Sequence, residues 1–330
     1  MITLMRVRSR FSAIFGAVLT SVAALVVAMP AVSAEPDGSG VGVRPVTLIV
    51  DGEEATGRVY EPGGPVRDLI VAVHGYGRGS EDFGDYLVGL ARRTGTPVLA
   101  MDQRSAVSGW RTGEWNVWAG WRDTVAATQW YRGENPGIGR TVLWGWSQGG
   151  ITSGLAAAYA PPGTFDYWVD TFGHADSFSA WLKAALLNGN MRAQIERDAG
   201  GCAPVLCPQA YAERSPALLA GRINVRRTLL VHGTDDAVVP YPTTVEMRTA
   251  LALSGKPVSV YTVVSGRDPD GRVVPGFHGP SPAFFESGCV VERLLLGTEP
   301  VTGGDHDYLI DLARGVDTAP PAPPNAVCAG

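Results

Sequence analysis

A serine flanked by glycines stands between an apolar run and a stretch of small residues, and few chain paths accommodate that arrangement. Gly145-Trp146-Ser147-Gln148-Gly149 follows Thr141-Val142-Leu143-Trp144 and precedes Gly150 and a small-residue segment reaching Ala160. The run reads as a strand and the small-residue segment as a helix, so the serine occupies a sharp strand-to-helix turn. The flanking glycines remove side chains that such a turn would crush. N–H groups at the start of the following helix lack intrahelical partners and favour negative charge near the serine. The pentad points to a nucleophile. The bland alternative is a tight glycine turn in which Ser147 merely caps a helix.

Apolar runs and helical stretches alternate along the rest of the chain. Strands are expected over 46–50, 55–60, 68–73, 97–101, 141–144, 165–171, 227–231 and 258–264, the last being the final strand of the sheet. Helices are expected over 82–92, 121–132, 243–253 and 281–296, the last closing the fold. Buried apolar strands alternating with helices specify an α/β architecture, a mostly parallel doubly wound sheet covered on both faces. In such sheets the loops at the carboxyl ends of strands carry the site. His74-Gly75-Tyr76-Gly77, Ser147 and His232-Gly233 all fall at such ends.

The N-terminus indicates the compartment. Arg6, Arg8 and Arg10 form a basic region ahead of a nearly continuous apolar stretch over 11–29, and Val32-Ser33-Ala34 fits the small-residue rule for signal-peptide cleavage. Residues 1–34 are therefore expected to be removed and the protein secreted; a retained membrane anchor is the alternative. Removing the three arginines leaves 24 basic against 32 acidic residues, a net charge of about −8. No basic patch with interleaved aromatics appears, which argues against nucleic acid as a partner. Residues 35–330 read as one domain with an insertion over 174–223 and a proline-rich tail over 317–330. Cys202, Cys207, Cys289 and Cys328 form an even set in an exported chain. Bridges Cys202–Cys207 and Cys289–Cys328 are the simplest pairing. Neither a C-x-x-C spacing nor clustered histidines accompany them, so no metal is expected.

The order His74-Gly75-Tyr76-Gly77, then the serine pentad, then His232-Gly233-Thr234-Asp235-Asp236-Ala237-Val238-Val239-Pro240 resembles the α/β-hydrolase superfamily. The stretch from Ser215-Pro216 through Pro240 is most similar to its prolyl-oligopeptidase and dienelactone-hydrolase branch. The resemblance implies a Ser-acid-His order. It selects Asp236 as the acid, three residues after the glycine of His-Gly, with Asp235 capping the turn; two turn aspartates without a catalytic part are the plain alternative. His278, in Gly276-Phe277-His278-Gly279, lies between the last expected strand and the closing helix, where the family places its base. His306, flanked by Asp305 and Asp307, lies beyond that helix and is the rival. His74 and His232 read as buttresses of their loops. The oxyanion donors are expected to be the amides of Tyr76 and Gln148.

The expected activity is that of a secreted serine hydrolase cleaving carboxylic esters through Ser147, Asp236 and His278. A serine peptidase of the prolyl-oligopeptidase kind is the alternative, and a non-catalytic binder on the same fold a further one. No cofactor is expected. A small-molecule or polymer-derived ester is the expected partner, with no stable membrane anchor and a monomeric state expected. The segment 174–223 reads as a cap over the site. Trp110, Trp115, Trp118 and Trp121 cluster after the strand ending at Asp102, either as flat apolar contacts for substrate or as core packing beneath the cap.

Overall fold

The computed structural model describes residues 40–104, 114–187, 189–324 and 326. The expected signal peptide, Trp110 and Cys328 lie outside the described residues.

The described chain opens with a hairpin, β1 (Val41–Val50) and β2 (Glu53–Pro62). Asp51 and Gly52 join them with φ of 55° and 81°, the left-handed pair that an Asp-Gly turn supplies most readily. Six strands follow: β3 (Asp68–Val73), β4 (Val98–Met101), β5 (Arg140–Trp146), β6 (Tyr167–Thr171), β7 (Arg227–Gly233) and β8 (Val258–Arg267). Three more, β9 (Val273–Pro275), β10 (His306–Asp311) and β11 (Val316–Asp317), complete a sheet ordered β1-β2-β4-β3-β5-β6-β7-β8-β10-β11, with β9 on β8. From β4 to β10 every neighbouring pair is parallel. The antiparallel strands lie at the margins.

Strand side chains divide between two cores. Ile70 and Ala72 of β3 join Val142, Trp144 and Trp146 of β5 in one, where α1 (Gly84–Thr94) and α8 (Pro282–Leu296) pack. Leu69, Val71 and Leu143 face the other, with α2 (Val117–Glu134), α3 (Gln148–Tyr159) and α7 (Pro242–Leu253). The period-2 split of buried strands is the signature of a sheet covered on both faces. A third cluster joins Ile151 and Leu155 of α3 to three helices from the insertion, α4 (Ser177–Leu187), α5 (Gly189–Asp198) and α6 (Pro208–Ala212). Cys202 and Cys207 are disulfide-bonded in the loop between α5 and α6. Cys289, buried in α8, is also disulfide-bonded; the partner expected for it, Cys328, is outside the described residues.

Two expectations need correction. β8 is not the last strand of the sheet, and α8 does not close the fold. The chain continues into β10, which pairs in parallel with β8, His306 lying opposite Ser259. His306-Asp307-Tyr308-Leu309 carries too much polarity to register as a buried strand, because only Ile310 and Asp311 at its far end are buried. Pairing across nearly fifty residues, not local apolar pattern, makes it a strand. Asp317, where the proline-rich tail was expected to start, is the last residue of β11.

Candidate active site

Ser147 stands between β5 and α3 with φ 57° and ψ −122°. A non-glycine residue held there costs roughly 1–3 kcal/mol and persists only where its surroundings impose it. The surroundings are visible. A Cβ on Gly145 would overlap the carbonyl oxygen of Gly149, and one on Gly149 would overlap that of Val73. The glycines thus let α3 start directly against β3 and β5. The Ser147 amide donates to the Thr171 carbonyl at 3.0 Å, tying the turn to β6.

Asp236 arrives on the loop after β7 and His278 on the segment that follows β8. Gly233 and Gly276 make the contact between the two segments: a Cβ on Gly233 would overlap the Gly276 carbonyl, and one on Gly276 would overlap the Val263 carbonyl. The long segment after β8 folds back as a hairpin, with β9 antiparallel to β8, and this returns Phe277-His278 to the sheet end. His278 Nε2 lies 2.9 Å from Ser147 Oγ, and its Nδ1 lies 2.7 Å from Asp236 Oδ2. Asp236 Oδ1 accepts the amides of Val238 and Val239, both at 2.8 Å. Burial alone would raise this carboxyl. Hydrogen bonds from His232 and His278, the His278 charge and the Val239 amide outweigh it and hold Asp236 well below the usual carboxylate range. The His232 contribution is the weaker geometrically: its Nε2 is 3.4 Å from Asp236 Oδ2 but 2.8 Å from the Val239 carbonyl.

Asp235 is exposed, and its amide donates to the Gly276 carbonyl. His306 is not brought to the serine. It begins β10, so it lies at the amino end of a parallel strand, whereas Ser147, Asp236 and His278 gather at the carboxyl ends. His74 and His232 hold loops. His74 Nε2 accepts the Gln103 amide at 3.1 Å, and Gln103 Nε2 donates to the His74 carbonyl at 2.6 Å. Gln148 Nε2 then donates to Gln103 Oε1 at 3.0 Å, linking the Tyr76 loop to the first residue of α3.

Tyr76, Ser147, Gln148 and His278 open onto a cavity of about 300 Å³ beneath α4 and α5. Trp115, Ala184, Leu187 and Met191 give it apolar walls. Among the tryptophans, Trp115 alone of the described ones meets this cavity; Trp121 stacks on Tyr159 and Trp118 meets both edge-on, in a separate aromatic group. His174 and Lys183 also line the cavity. Sequence reasoning passed over both. The spacing of Ala180, Lys183, Ala184 and Leu187, which shares one helical face, was the available signal for Lys183. His174 is fully enclosed, and burial pushes its imidazole down to about 4, so it is neutral. A second cleft reaches Ser147 and His278 from the other side, lined by Phe83, Trp146 and Phe172. Among the described residues, no group of three His, Cys, Asp or Glu side chains could hold a metal ion.

Residues 112–267 match the model of the prolyl oligopeptidase family. The sheet order is that of an α/β-hydrolase fold, and the matched segment, a little under half of the chain, is similar to the prolyl-oligopeptidase-like branch of that superfamily. Among solved structures, the acylaminoacyl peptidase of Pyrococcus horikoshii is similar over 78% of this chain and 41% of its own, with 17% identity and a TM-score of 0.58. A puromycin-hydrolyzing peptidase of Mycobacterium tuberculosis is similar over 80% of this chain and 41% of its own, with 23% identity and a TM-score of 0.56. An acetyl xylan esterase from Paenibacillus sp. R4 is similar over 84% of this chain and 89% of its own, with 18% identity and a TM-score of 0.61. The chain thus spans about two fifths of those peptidases. No curated protein matches the chain in sequence.

Proposed function

We propose that the protein is a serine hydrolase of carboxylic esters, exported from the cell, in which Ser147 is the nucleophile, His278 the general base and Asp236 its orienting acid. The observation that carries this reading is the unbroken chain from Ser147 Oγ through both His278 nitrogens to Asp236, at 2.9 and 2.7 Å. His278 Nε2 takes the serine proton as Oγ bonds to the ester carbonyl carbon. Asp236 accepts from Nδ1–H and stabilises the imidazolium. The oxyanion meets the Tyr76 and Gln148 amides. As the carbon–oxygen bond of the alcohol breaks, His278 returns its proton to that oxygen. Water then attacks the acyl-serine, again losing its proton to His278, and the acid departs as Oγ is reprotonated.

Esters are preferred over peptides because the esterase comparison extends over most of both chains, 84% and 89%. The peptidase reading is kept as second, since the family match over residues 112–267 is to peptidases. The basic and apolar N-terminus supports export, and the Cys202–Cys207 bond suits an oxidising compartment. Rates on p-nitrophenyl esters of graded acyl length, set against aminoacyl p-nitroanilides, decide between the two. Turnover confined to the anilides overturns the ester assignment.

A further inference from the structure

Among the described residues, the cavity beneath the cap has one cationic wall residue, Lys183, and no carboxylate lines the cavity with it. Lys183 shares a face of α4 with Ala180, Ala184 and Leu187, and all four line the cavity that holds Ser147. The chain contains two lysines against 25 arginines. Nearby arginines of the cap are matched, Arg192 with Glu196 and Arg214 with Asp198. Lys183 forms no ion pair among the described residues. A partly buried lysine on the otherwise apolar Ala180-Ala184-Leu187 face of α4 attracts an anion more strongly than one in open water, because the surrounding dielectric is lower. A second group points to a polar ligand. His174 lines the same cavity and keeps Nδ1 buried with no hydrogen-bond partner among the described residues, and buried polar atoms without partners are uncommon unless a ligand or water serves them.

The two clefts that meet at Ser147 differ in character. Both contact Ser147 and His278, so either half of an ester placed in one leaves the other half to the second. In the proposal that follows, the cleft lined by Phe83, Trp146 and Phe172 takes the leaving alcohol and the cap cavity takes the acyl half.

We propose that Lys183 selects esters whose acyl chain ends in a carboxylate, the monoesters of short dicarboxylic acids. The inference rests on the ester-hydrolase reading above and adds the acyl class. An unbranched acyl chain would run along Trp115, Ala184 and Met191 and place its terminal carboxylate at the Lys183 ammonium. The neutral His174 ring supplies a further polar contact on that wall.

The test compares p-nitrophenyl hydrogen glutarate with p-nitrophenyl valerate on the purified mature protein. The native enzyme is expected to favour glutarate in kcat/KM by about tenfold or more, the scale of one charge-assisted hydrogen bond. Lys183→Met should abolish the preference, Lys183→Glu should reverse it, and Lys183→Arg should keep most of it. Lys256→Met, at the other lysine and away from the cavity, should keep it whole. Added salt should shrink the preference of the native enzyme. A native ratio near one, or a ratio that Lys183→Met leaves unchanged, overturns the inference while leaving ester hydrolysis standing. If neither ester is turned over, the ester-hydrolase reading falls and the inference with it.

Discussion

Ser147 and Asp236 exert their effects through a few short contacts, so single substitutions should separate chemistry from folding. Ser147→Ala removes the proposed nucleophile and should lower turnover on the order of a millionfold. Relief of the backbone at φ 57° is not expected, since alanine is as strained there as serine; the melting temperature should stay close to that of the native protein. Retention of more than about a hundredth of native turnover would contradict the assignment. Asp236→Asn should leave Ser147 and His278 in place but deprive Nδ1–H of a charged acceptor, lowering kcat by about ten-thousandfold. Steady-state kinetics on a p-nitrophenyl ester measures both. His278→Ala should approach the serine variant, because the two act as a unit. His306→Ala should retain most turnover, its ring lying at the opposite end of the strands.

At the scale of elements, the site depends on glycines that let three loops touch. Gly276→Ala would drive a Cβ into the Val263 carbonyl, which is backbone and cannot swing away. The His278 loop should shift by a fraction of an ångström or more, with kcat falling about a hundredfold. Circular dichroism together with kinetics checks that activity falls well before the fold is lost at room temperature; unchanged kcat would show that the Gly233–Gly276 approach does not position His278 for the proposed chemistry. These elements also show what local pattern can reveal. The β5–Ser147–α3 turn was legible because an apolar run, a glycine pentad and small residues are contiguous in sequence. His278 was legible by its place after β8. The β9 hairpin and β10 were not, because β10 is a polar-faced strand whose partner lies far away in the chain. Lys183 was legible only as a member of one helical face with Ala180, Ala184 and Leu187, and His174 was not legible as a cavity residue at all. Nothing in a helix's own sequence says which cavity its inner face will line.

For the whole molecule, several carboxyls carry a pH signature: burial pushes Asp123 and Asp198 up to about 6 against their arginine partners, and Glu246 up to about 7 beside Asp176, while Asp170 has no cation beside it among the described residues to oppose the shift. Asp170, at the end of β6, is enclosed, and burial pushes its carboxyl up to about 7 against one hydrogen bond from the Gly173 amide. Its Oδ1 has no partner among the described residues. The folded state therefore holds a proton that the unfolded chain, near its ordinary value of 3.8, has released. The stability associated with that proton is complete below about pH 4 and is lost as pH rises towards about 7. Neutral His74 and His174 act oppositely, since burial lowers both. A single melting curve mixes these effects, so the expectation is for a difference. The fall in denaturant midpoint between pH 5 and pH 8 should be larger in the native protein than in Asp170→Asn. Equal falls in both proteins would mean that Asp170 is ionised throughout.

The central claim is that Ser147 is a nucleophile driven by His278. Labelling with a fluorophosphonate, followed by intact mass and peptide mapping, addresses it most directly. One phosphonyl adduct is expected per chain, on the peptide containing Ser147, absent from Ser147→Ala and strongly slowed in His278→Ala. Labelling on another residue, or labelling of His278→Ala at the native rate, would contradict the account.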